Sequence, residues 1–224
     1  MFSIPPLALA AFTGFLSGFL LSIPVGPINL TILNEGARCG FKVALLISIG
    51  AVIMEVIYCA IAFTGFASFF QHGLIKASME LFSFVFMLYL GIKFLMARTV
   101  PTATAIETRI EQRLHPHSAF MIGFVRTMAN PGVLLGWIIL SAGFIAHDWV
   151  QPTGPCKTSC ILGVAGGTGI WFVGLSWFAA KGHGRLTEKT LLRMEHVSGV
   201  CLLLLAMGYG ANIIWQLARH KVHG

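Results

Sequence analysis

The sequence predicts an all-α integral membrane protein, with six transmembrane helices arranged as two inverted three-helix repeats and breaks in the first and fourth helices. Composition is the first reason. Of 224 residues, 56% are hydrophobic and 10% charged, whereas a soluble domain carries about a quarter charged residues; mean hydropathy is +0.82. Six apolar stretches are the second reason, at roughly 7–34, 43–70, 75–97, 118–146, 158–180 and 195–217. Each meets the ~20 residues needed to cross ~30 Å of hydrocarbon. Such long, non-alternating runs exclude a β-barrel, whose strands are about ten residues long. The third reason is that proline and glycine interrupt two of these stretches at matching places.

The first stretch reads Gly14-Phe-Leu-Ser-Gly-Phe-Leu-Leu-Ser-Ile-Pro24-Val-Gly26-Pro27-Ile-Asn29. No Lys or Arg precedes it, so the positive region of a cleavable signal peptide is missing and a retained helix is expected. Gly14, Gly18, Ser22 and Gly26 recur every four residues. They leave one face nearly bare, so that another backbone can approach closely. Packing is the expectation for these glycines except Gly26, which lies in the break itself. Pro27 removes a backbone donor and pushes its predecessor out of helical geometry. Asn29 and Thr31 then offer neutral hydrogen bonds just past the break.

The second stretch carries Glu55, the one carboxylate near the middle of an apolar span. An ionised carboxylate at that depth costs roughly 2.5–3.5 kcal/mol or more, so it is expected to face the bundle interior or a cavity. Desolvation favours its neutral form, which suits a group that takes up and releases a proton. After the third stretch, residues 98–117 contain Pro101, several Thr and alternating charges from Glu107 to Arg113. This is the expected cytoplasmic loop between a first repeat, 1–97, and a second, 118–224.

The fourth stretch contains Ile122-Gly-Phe-Val-Arg126-Thr-Met-Ala-Asn130-Pro131-Gly132. Asn130 is a natural N-cap with Pro131 at the first helical position. The half-helix that begins there has free N–H groups and a positive dipole end, suited to a carboxylate. Arg126 lies about eight residues into the stretch, about 12 Å deep at 1.5 Å per residue. Three roles stay open for it: snorkelling to the interface, a counter-charge for Glu55, or a contact for a substrate carboxylate. The fifth stretch holds Gly163, Gly166, Gly167, Gly169 and Gly174, a close-packing composition.

Shifted by 105 positions, Gly18-Phe19 falls on Gly123-Phe124, Ser22 on Thr127, and Gly26-Pro27 on Pro131-Gly132. A second echo opens the third and sixth stretches, where Met79, Glu80, Ser83 and Val85 match Met194, Glu195, Ser198 and Val200. Three spans per half force the second half to enter from the opposite side, which inverts the repeat. Irregular backbone at membrane depth survives only where protein or a water-filled cavity satisfies it. Paired breaks in repeated halves therefore point to the substrate site of a transporter.

The formal charge of +7 is spread over short loops, with no solvent-facing domain to hold a duplex, so no nucleic-acid partner is expected. Arg38, Lys42, Arg98, Arg109, Arg113, Lys181, Arg185, Lys189 and Arg193 fall in one set of loops; Lys76, Lys157, Arg219 and Lys221 fall in the other. The bias places both termini outside the cytoplasm. Cys39, Cys59, Cys156, Cys160 and Cys201 form no CxxC motif, and small apolar filler is the expected role for most of them. His115 and His117 lack a cluster of partner ligands and read as a solvated loop. Nothing resembles a Walker loop, a nucleophile elbow or a HExxH zinc site. No enzyme activity, cofactor or metal site is expected.

Gly26-Pro27-Ile28-Asn29, followed by Glu35-Gly36-Ala37-Arg38-Cys39-Gly40, resembles the signature opening the lysine exporter (LysE) family, within the superfamily that includes homoserine–threonine exporters. Glu55 falls where that family usually has Asp, and Asn130-Pro131 resembles its fourth-helix Asn-Pro. Two departures stand out: Val25 where a Pro-Gly-Pro is common, and Gly132 where a Lys often follows Asn-Pro. The resemblance implies a proton-driven exporter of amino acids or similar small metabolites in a bacterial inner membrane, and homo-oligomerisation stays open. A metal-cation exporter is the alternative, although a single carboxylate without soft ligands makes a poor cage. Thiol–disulfide electron-transfer proteins of the same architecture carry a Cys beside these breaks, and this chain does not.

Overall fold

The computed structural model describes residues 5–24, 26–65, 73–99, 105–114, 118–183 and 188–222; the pair His115 and His117 lies outside them. All regular structure among the described residues is helical.

Helix α1, Pro6–Ser22, starts with proline in its first turn and stops two residues before Pro24. Helix α2, Pro27–Cys39, leaves the break at 71° to α1. It ends at Gly40, whose φ of 84° is a left-handed conformation that only glycine adopts without strain. Helix α3, Phe41–Gly65, and α4, Gly73–Leu95, complete the first half. The segment expected to be a loop instead holds a ten-residue helix, α5, Ala105–Leu114. Its charges recur at Glu107, Arg109, Glu111 and Arg113, and such a polar pattern is compatible with a surface helix as well as with a loop.

Helix α6, Ala119–Met128, is capped by Ser118, whose hydroxyl accepts from the Met121 N–H at 3.2 Å. Helix α7, Pro131–Ala146, follows at 63°. Helix α8, Gly154–Phe178, runs into a single π-helical turn, Ala179–His183, and α9 spans Glu188–Val222. Among the described residues three helices are long and apolar enough to cross a membrane, or up to five spans if each bent pair is counted as one. The expected third span corresponds to α4, whose described apolar part is Phe84–Leu95.

Glycine brings particular helix pairs into backbone contact. Gly14 and Gly18 on α1 abut the Cys160 and Val164 backbone of α8, and Gly163 and Gly167 abut the carbonyls of Ala11 and Phe15 in return. Gly50 on α3 faces the Phe120 carbonyl of α6, and Gly123 faces the carbonyl of Ile47. At each of these positions a methyl group would collide with backbone. Between lipid tails, packing of this kind holds helices together in place of a hydrophobic driving force. Gly166 makes only ordinary contact with Phe15, while Gly169 and Gly174 have nothing within 4 Å. Of those five glycines, only Gly163 and Gly167 therefore sit where another backbone comes close.

Helix α3 is two-faced. Leu46, Ile49, Ile53, Ile57 and Ile61 are exposed along one stripe, as a lipid-facing surface requires, while Ile47, Ala51, Met54, Glu55, Tyr58 and Ala62 point inward. The core divides in two, one part around Trp137, Phe144, Phe63 and Cys160, the other around Ile32, Ile47, Phe172 and Leu175. All five cysteines are free; Cys59, Cys156 and Cys160 are buried filler.

Candidate functional site at the helix breaks

The first break leaves carbonyls that no helical N–H can reach, because α1 has ended and Pro27 has no donor. Asn29, 2% exposed, satisfies them. Its amide nitrogen donates to Ser22 O at 3.0 Å and to Pro24 O at 2.6 Å. Its carbonyl oxygen accepts from Trp171 Nε1 of α8 at 3.3 Å. Both donors of the Asn29 side chain are thus engaged in shaping the break, which leaves one acceptor lone pair. Gly26, with no atom within 4 Å of where a Cβ would stand, keeps the start of α2 open.

At the second break Asn130 caps α7 as the sequence predicts, accepting from the Gly132 N–H at 3.0 Å. Pro131 and Gly132 are exposed, so the amide end of this half-helix is accessible. A contact joins the two breaks: the Arg126 guanidinium of α6 donates to Thr31 Oγ1 of α2. Thr31 in turn donates to Pro27 O at 2.7 Å. The Arg126 guanidinium therefore sits against Thr31, one turn into the half-helix after Pro27.

Glu55 is buried, and its carboxylate accepts from Trp137 Nε1 of α7 at 2.5 Å. One turn further along α3, Tyr58 donates to Met128 O, the last carbonyl of α6, at 2.6 Å. Sequence reasoning did not single out Trp137, Tyr58 or Trp171. A signal for the tryptophans existed. Tryptophan in membrane proteins is enriched at the interfaces, so an indole deep in an apolar helix needs an internal acceptor for its N–H. Glu195 was noted only for its place in the repeat. It is 1% exposed, and one carboxylate oxygen has no hydrogen-bond partner.

An apolar cavity of about 240 Å³, lined by Leu9, Phe12, Leu16, Leu140 and Phe144 among others, lies along α1. Its lining offers a polar solute almost nothing. Arg126, Thr31 and Asn130 lie beside the breaks, and the Glu55–Trp137 pair links α3 to α7.

The family model described as "LysE type translocator" matches residues 19–210, which include both breaks, Glu55 and Arg126. The chain belongs to the LysE type translocator family. It is a multi-pass bacterial membrane transport protein. Among the relatives of this translocator is YcgF of Bacillus subtilis, provisionally named an amino acid efflux protein. The two are 26% identical over 89% of this chain and 94% of YcgF. The arginine exporter protein ArgO of Shigella flexneri is 28% identical over 94% of each chain. The chemotactic transduction protein ChpE of Pseudomonas aeruginosa is 25% identical over 54% of this chain and 58% of its own. No solved structure matches.

Proposed function

We propose that this translocator is a secondary-active, proton-coupled exporter of amino acids or similar small metabolites, with its substrate site between the two breaks. The contact of Arg126 with Thr31 carries the reading, because it sets a cation between the two interrupted helices. An α-carboxylate fits that setting. Arg126 offers charge-assisted, bidentate hydrogen bonds, and the exposed first turn of α7 offers backbone N–H groups at the positive end of a helix dipole. Gly26, Pro27, Pro131 and Gly132 keep backbone rather than side chains at the site. Asn29 and Thr31 hold the shape of the first break, and Thr31 orients the guanidinium.

Glu55 is the proposed proton carrier. In this reading the two halves are inverted repeats that rock against each other around a fixed site, with both termini outside the cytoplasm. The relatives named for amino acid efflux and arginine export support the substrate class. The metal-cation alternative is the weaker one, since no three His, Cys, Asp or Glu side chains cluster among the described residues.

The purified protein in proteoliposomes, tested with a panel of amino acids and with Cd²⁺ under an imposed pH gradient, decides between the readings. Gradient-driven movement of at least one amino acid, and none of Cd²⁺, is expected. Movement of Cd²⁺ alone would overturn the proposal.

A further inference from the structure

We infer that α3 is a proton-dependent latch on the α6–α7 break, in which Trp137 is the positioning residue that couples the protonation of Glu55 to the half-helix α7. The inference rests on the coupling role proposed for Glu55.

Two side chains one turn apart on α3 hold opposite sides of the same break. Tyr58 holds α6 through Met128 O at 2.6 Å, and Glu55 holds α7 through Trp137 Nε1 at 2.5 Å. The grips differ in kind. Phenol and carbonyl are both neutral, so the Tyr58 bond keeps its strength when Glu55 titrates. The indole can only donate. To an ionised carboxylate it makes a charge-assisted bond, roughly twice as strong as a neutral one. Once Glu55 is protonated that assistance is lost, and its new O–H needs an acceptor that the indole cannot be. Protonation therefore loosens α3 from α7 while α3 stays fixed to α6. The two-residue linker Ala129–Asn130, extended at Asn130 (φ −91°, ψ 99°), is the natural pivot. Motion there carries the capped amide end of α7 relative to Arg126.

Among the described residues the other break has no such device. It is pinned by Asn29 and Trp171, neither of which titrates. One break is a fixed wall and the other moves.

The other titratable groups on the elements packed against α3 leave Glu55 as the switch. Its own helix presents Tyr58 and Cys59, and α8 presents Cys160 beside Cys59. From α6 comes Arg126, held by Thr31. From α2 come Glu35 and Arg38, paired with each other at 3.2 Å, and from the π-turn comes Lys181, over the Trp177 ring. Helix α7 contains no ionisable residue.

The test uses the full chain in proteoliposomes, with Met121→Cys and Leu135→Cys spin-labelled on exposed positions of α6 and α7 after the native cysteines are changed to Ala. Infrared spectroscopy follows the protonated carboxyl of Glu55. The interspin distance is expected to change between acid and alkaline pH with the same midpoint as the carboxyl band. Trp137→Phe should move that midpoint about 1–2 pH units toward alkaline pH, since a hydrogen bond to a charged group contributes about 1.5–3 kcal/mol to the ionised form. It should also leave the distance independent of pH. Glu55→Gln should hold the distance at its acid value throughout, and this arm decides the matter if Trp137→Phe does not fold. A pH-independent distance with Trp137 and Glu55 intact would overturn the latch. So would a Trp137→Phe variant with an unshifted midpoint. Failure of the coupling role itself would show separately, as full gradient-driven export by Glu55→Gln.

Discussion

At the scale of single residues, depth and hydrogen-bond capacity decide what each polar group can do. Glu55 is buried mid-helix with a donor-only partner, so its exchangeable proton is its distinctive chemistry. Glu55→Gln keeps shape and hydrogen bonding but not the proton. It should abolish concentrative export driven by a pH gradient while retaining substrate exchange, measured as counterflow of labelled amino acid. Glu55→Asp, which keeps a titratable carboxyl, should keep part of the export rate. Asn29 is a different case, because its two donors answer the carbonyls of Ser22 and Pro24. Leaving a buried acceptor unsatisfied costs about 1–3 kcal/mol. Asn29→Ala should therefore lower the melting temperature of the purified protein in detergent, a loss that Asn29→Asp, with no N–H, should reproduce. An Asn29→Ala variant as stable as the parent would show that water takes over both carbonyls.

At the scale of the helix, caps and bare faces carry the architecture. Asn130→Ala removes the bond to the Gly132 N–H, a loss worth about 0.5–2 kcal/mol. The protein should still insert, with a raised KM for substrate because the amide end of α7 is no longer held in place. Unchanged kinetics would move the binding site elsewhere. The α3–α6 crossing is less forgiving. Any side chain at Gly123 meets the Ile47 carbonyl, whereas Gly169 has open space. Gly123→Val should sharply reduce the yield of folded protein and Gly169→Ala should not, as read by size-exclusion profiles of the detergent-solubilised protein.

At the scale of the whole molecule, orientation follows from the loop charges rather than from packing. The loops carrying Arg38, Lys42, Arg98, Arg109, Arg113, Lys181, Arg185, Lys189 and Arg193 are expected in the cytoplasm. Reporter fusions at Thr104 and at the C-terminus should then report opposite compartments. A cytoplasmic signal from the C-terminal fusion would break the six-span, inverted arrangement.

The sequence by itself determined the membrane class, the positions of both breaks, the Asn130 cap, the buried acid and, through its opening signature, the family. Each is written locally, in hydropathy, in Pro and Gly, or in the spacing of a few neighbouring residues. Only the tertiary structure decided what the breaks are fastened to. Glu55 and Trp137 are 82 residues apart, Tyr58 and Met128 70, Asn29 and Trp171 142, Arg126 and Thr31 95. Within an apolar sequence many positions look alike to a pattern based on hydropathy. Which of them meet is fixed by the helix crossings that Gly14, Gly18, Gly50 and Gly123 permit, and those crossings bring the tryptophans to their acceptors.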